Sequence, residues 1–129
     1  MMEINFFDDP SKTPRSREEV RLNQLALFVH PDGSRRVAVG FDITPFLERP
    51  TIEVRATNLM GEPAGTLTVI QTNETNFHLT MHLRDKNPTD LYRFEATLFY
   101  EDENKEQMVV DQKSGEVDVT VAGNEVRIP

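Results

Sequence analysis

Phe77-His78-Leu79-Thr80-Met81-His82-Leu83-Arg84 and, beyond Asn87-Pro88-Thr89-Asp90, Leu91-Tyr92-Arg93-Phe94-Glu95-Ala96-Thr97-Leu98-Phe99-Tyr100 are the segments whose reading decides the fold. In the first, Phe77, Leu79, Met81 and Leu83 alternate with His78, Thr80, His82 and Arg84. In the second, Tyr92, Phe94, Ala96, Leu98 and Tyr100 alternate with Arg93, Glu95 and Thr97. Successive side chains leave a strand on opposite faces, so an apolar period of two sustained this long predicts two strands with one dry and one wet face each. They are expected to form a long antiparallel pair over one core, with Phe77, Leu79, Met81, Leu83, Tyr92, Phe94, Ala96 and Leu98 buried together.

Upstream, Val20 and Leu22 lie on one phase and Leu25, Leu27 and Val29 on the other, which predicts a β-bulge or sheet switch near Asn23-Gln24. Pro31-Asp32-Gly33-Ser34 has turn chemistry, and Val37, Val39, Phe41 and Ile43 follow in alternation, so residues 20–43 are expected to form a hairpin. A third strand is expected over 51–58 and a fourth over 66–72. Downstream, a strand over 106–111 is interrupted at Lys113-Ser114-Gly115 and resumes at Val117, and a last short strand covers 126–128. Seven or eight strands with turn signals every ~8 to 12 residues and no helical period predict an all-β antiparallel sandwich of two sheets.

At 129 residues one domain is expected. Residues 1–19 are expected to be a disordered polar tail, because Asp8 to Arg17 is charged and twice broken by proline, and residues 20–129 to be the sandwich. Ile4, Phe6 and Phe7 are the tail's apolar group. No run approaches the ~18 apolar residues of a membrane span, and the first twenty residues carry no secretory apolar stretch, so a cytoplasmic location is expected. The formal charge of −8 disfavours nucleic acid and anionic membranes. Cysteine is absent, which excludes disulfides, thiolate nucleophiles and Cys-ligated zinc.

The segment from Asn87 to Leu98 resembles the entry to strand F of immunoglobulin-like and fibronectin type III-like domains, where a turn leads to a tyrosine that ties the corner to upstream backbone. The resemblance implies that structural role for Tyr92. It also implies an immunoglobulin-like or fibronectin type III-like sandwich, although no tryptophan and no inter-sheet cysteine pair is present. A C2-like or jelly-roll sandwich is the alternative.

Constellations for chemistry are sparse. His78 and His82 are four apart, but on a strand that separates them by ~13 Å, too far to share a metal. No serine has the context of a nucleophile elbow, and no glycine-rich loop could cradle phosphate. The acidic run Glu101 to Glu106 lacks the spacing of a calcium loop and contains Lys105. No cofactor, metal or catalytic residue is expected, and the chain is expected not to be an enzyme.

A non-catalytic interaction or accessory module is expected, with an unidentified protein partner. The alternative is a ligand-binding sandwich that takes calcium through loop carboxylates or carbohydrate through a sheet face. Candidate contacts are Phe46 and Leu47, in a loop bracketed by Pro45 and Pro50, which either plug the end of the sandwich or project as an anchor. Phe99 and Ile70 are the other candidates, expected on outward faces that a second copy could cover. The bulge near Asn23 and the interruption at Lys113 to Gly115 are expected to protect edges, giving a monomer or weak homodimer.

Overall fold

In a computed structural model of the protein, which describes residues 13–129, eight strands follow one 3-10 turn at Arg17–Glu19. The strands are β1 (Leu22–Val29), β2 (Arg36–Ile43), β3 (Thr51–Asn58), β4 (Pro63–Val69), β5 (Asn76–His82), β6 (Leu91–Glu101), β7 (Gln107–Asp118) and β8 (Glu125–Ile128). They form two four-stranded antiparallel sheets, ordered β5-β2-β1-β8 and β4-β3-β6-β7. The all-β two-sheet sandwich is therefore as expected.

The core lies between the sheets and is built by alternation. Leu25, Leu27 and Val29 of β1 and Val37, Val39, Phe41 and Ile43 of β2 meet Ile52, Val54 and Ala56 of β3 and Tyr92, Phe94, Ala96 and Leu98 of β6. The hairpin of β1 and β2 is as read from the sequence, and the register shift between Leu22 and Gln24 places a bulge at Asn23. That bulge lets Leu22 turn inward on a different phase from Leu25, and the Leu22 N–H reaches across to the Asp111 carboxylate at 2.9 Å.

Four expectations need correction. The segments around Phe77 and Phe94 are not partners: β5 pairs with β2 in one sheet, and β6 pairs with β3 and β7 in the other. A period of two specifies which face is dry and leaves the choice of neighbour open. Second, β5 is an edge strand, so Met81 and Leu83 are buried while Phe77 is half-buried and Leu79 is 39% exposed. Third, β1 lies between β2 and β8, and β8 pairs only with Leu25–Phe28, so the bulge at Asn23 adjoins just the short stretch of β1 that β8 leaves uncovered. Finally, β7 runs unbroken through Lys113 to Gly115. Gly115 leaves room there for Ile128, the side chain with which β8 closes that side of the sandwich: a Cβ would stand 2.5 Å from its Cδ1 and oblige it to shift.

Tyr92 is fully buried at the β6 corner. Its hydroxyl accepts the Thr89 N–H at 3.2 Å and a hydrogen bond from Arg35, and donates to the Asp85 carboxylate at 2.8 Å. The Asp85 side chain is 1% exposed and also accepts from Asn58 Nδ2 at 2.8 Å. Asn58 Oδ1 in turn caps the tight turn into β4, accepting the N–H groups of Met60 and Glu62 at 2.9 and 3.0 Å. One buried network thus joins the β1–β2 hairpin, the β3–β4 turn and the loop before β6.

Candidate functional site

Three segments converge at the end of the sandwich opposite the Tyr92 corner. The loop from β2 to β3 (residues 44–50) carries the chain from one sheet to the other, and the loop from β4 to β5 (residues 70–75) carries it back. They are tied by backbone bonds from Ile43 N–H to the Thr75 carbonyl (2.7 Å) and from Thr72 N–H to the Pro50 carbonyl (2.9 Å). Arg49 adds a bond to Asn73 at 2.7 Å. Residues 13–19, the later part of the expected tail, lie along the first loop. Arg15 bridges in parallel to Phe46, and its N–H and carbonyl bond to Pro45 and Leu47. Ile4, Phe6 and Phe7 lie outside the described residues.

Two of the four candidate contacts meet here. Leu47 is 70% exposed and Ile70 74% exposed, and both line one depression of about 290 Å³ with Arg17, Arg49, Tyr100 and Glu101. Phe46, by contrast, packs against the core, so the two alternatives for this loop are divided between neighbouring residues: Phe46 plugs the end and Leu47 projects. Phe99 is only 5% exposed and offers no accessible contact.

The depression has a fixed ionic frame. Arg17 holds Glu48 with Nε at 3.1 Å from both carboxylate oxygens and Nη2 at 2.7 Å from one, while its guanidinium lies 4.9 Å from the Tyr100 ring centroid. The Tyr100 hydroxyl donates to the Glu48 carbonyl at 2.8 Å. The hydrogen bond from Arg17 lowers the Glu48 pKa and raises that of Arg17, and burial raises the Tyr100 phenol. Each of these groups has its partner within the frame, which leaves Leu47 and Ile70 as the apolar surface it presents.

The sequence contains no signal that would place Leu47 beside Ile70, twenty-three residues away, since that proximity comes from two loops crossing the same end. The remaining polar groups serve local structure. Asp102 Oδ1 caps its own hairpin by accepting the N–H groups of Asn104 (2.8 Å) and Glu106 (2.9 Å). His78 and His82 stand opposite Gly40 and Arg36, and His30 meets the edge of the Phe28 ring at 6.2 Å. Among the described residues no group of three His, Asp or Glu could hold a metal ion, and no buried side-chain polar atom lacks a partner. No helix among them is long and apolar enough to cross a membrane.

No protein-family model matches the sequence, and no curated relative matches it. Among solved structures, the chain is similar to part of a β-glucuronidase from Ruminococcus gnavus in complex with D-glucuronic acid, at 15% identity and a TM-score of 0.43. The same identity and TM-score are found for the complex of that enzyme with D-glucaro 1,5-lactone. In each case the match covers 79% of this chain and 16% of the enzyme chain.

Proposed function

We propose that the protein is a non-catalytic interaction module that binds a protein partner through Leu47 and Ile70. The convergence of these two side chains, each about 70% exposed, on one depression with an ion-paired border carries this reading. Contact surfaces commonly place apolar anchors at the centre and charged groups at the rim, and the rim here is held by Arg17, Glu48 and Tyr100. The partner that fits would offer an apolar centre and charges of both signs around it, to meet Arg49 and Glu101.

We further assign the sandwich to the immunoglobulin-like or fibronectin type III-like class. Taking β1, β2 and β5 as strands A, B and E, and β3, β6 and β7 as C, F and G, supports this, as does Tyr92 in the corner role. The fourth strand pairs with β3 instead of β5, and β8 adds to β1.

A photo-crosslinking residue at position 47 tests the binding surface, with one at the exposed Thr120 near the opposite end as control. A discrete protein adduct is expected from position 47, lost on Ile70→Glu and absent from position 120. Equal adducts from both positions, or none from 47, would refute the proposed surface.

A further inference from the structure

Among the described residues the sandwich has four edge strands, and they differ sharply in charge. β7 is bulged where Leu98 and Phe99 face Asp111 and Val109, and it carries Asp111, Lys113, Glu116 and Asp118. β8 has four residues, two of them Glu125 and Arg127. Short length, bulges and charges are the devices that keep exposed edges from pairing. β4 starts at Pro63 and shifts register at Ala64, but neither β4 nor β5 carries a charge: from Pro63 to His82 the single Asp, Glu, Lys or Arg is Glu74, in a chain that is 28% charged. Both strands lie on the same side of the sandwich.

That side is shut at one end and open at the other. Arg84 N–H bonds to the Ala64 carbonyl at 2.9 Å, and Gly65 admits Met81 so closely that a Cβ would lie 3.1 Å from its sulfur. Towards the far end the strands part around a depression of about 530 Å³ walled by Val69, Ile70, Phe77 and Leu79. Ile70 is 74% and Leu79 39% exposed, so free backbone groups of two edges border apolar side chains in contact with water.

We infer that two copies of this chain associate through the β4–β5 side about a two-fold axis, each edge strand running antiparallel to its own image. A two-fold antiparallel contact sets residue i opposite residue j and j opposite i, so a charge close to the axis meets its own image. A charge-free edge is the sequence that tolerates this arrangement, whereas an edge that selects a foreign strand gains specificity from charges. Each copy carries a formal charge of −8, and Glu74 is the one carboxylate lining the depression on this side, so little like charge is brought together there. Ile70 borders both this side and the end depression, but Leu47 belongs only to the latter and Leu79 only to the former.

Sedimentation velocity on the full chain, from low micromolar to several hundred micromolar, tests the inference. The wild type is expected to rise toward twice the monomer mass. Thr80→Lys, at an exposed position outside the core, and Leu79→Lys are each expected to hold the protein at monomer mass, while Leu47→Glu leaves the dimer intact. Hydrogen exchange should show β4 and β5 amides gaining protection with concentration while those of β7 and β8 do not. A monomer at every concentration would overturn the inference. So would a dimer that both lysine variants retain, or one whose new protection falls on β7 and β8. Loss of the dimer with Leu47→Glu alone would move the contact to the end depression.

Discussion

Removing the Tyr92 hydroxyl tests whether the buried polar network holds the two sheets in register. In Tyr92→Phe the ring stays in the core, but three hydrogen bonds vanish, those with Asp85, Thr89 and Arg35. The bond to the Asp85 carboxylate dominates, because hydrogen bonds to charged groups contribute ~1.5–3 kcal/mol against ~0.5–1.5 kcal/mol for neutral ones. Water cannot readily replace it, since the Asp85 side chain is 1% exposed. The expected loss is therefore about 2–3 kcal/mol, or roughly 10 °C in Tm for a domain of this size. Asp85→Ala should cost more, about 3–5 kcal/mol, because it leaves Arg35, the Tyr92 hydroxyl and the Asn58 amide without their shared acceptor. Urea melts of both variants, and of a double-mutant cycle with Asp85→Asn, measure these terms. A loss under ~0.5 kcal/mol for Tyr92→Phe, or strict additivity with Asp85→Asn, would show that the hydroxyl and carboxylate are not coupled.

Leu98 is fully buried in the middle of β6, so Leu98→Ala should cost ~2–5 kcal/mol in denaturant melts, and a negligible loss would reverse the face assigned to that strand. Asp32, Glu48 and Asp118 each titrate below the usual carboxylate range, through hydrogen bonds from Ser34, Arg17 and Thr120 respectively, with Arg36 adding to the effect on Asp32. Their folded-state pKa values are depressed, so the stabilisation is present above the unfolded carboxylate pKa of ~4 and is lost as pH falls below it. The gap in Tm between wild type and Asp32→Asn should therefore begin to narrow near pH 4 and go on narrowing as pH falls toward the depressed folded-state value, and a gap that widens on acidification would contradict the assignment.

The local chemistry of the chain specifies the strands and several of their details. Alternation identifies the dry face of β1, β2, β3 and β6, proline and glycine place the turn at Pro31 to Ser34, and the phase change at Asn23 marks the bulge. The turn residues Asn87 to Asp90 precede Tyr92 directly, and the bond from the Thr89 N–H to its hydroxyl spans only three residues. These features are legible because each depends on neighbours a few positions away. Pairing between strands, in contrast, depends on long-range contacts that a period of two cannot rank. Tertiary structure alone placed Phe77 and Phe94 in opposite sheets, left Leu79 exposed on an edge and buried Phe99. It also kept β7 continuous, through a glycine that gives room to Ile128. The absence of charge between Pro63 and His82, Glu74 apart, is visible in the sequence. Its meaning depends on the sheet order, because charge-free strands invite pairing only where their backbone groups remain open at an edge.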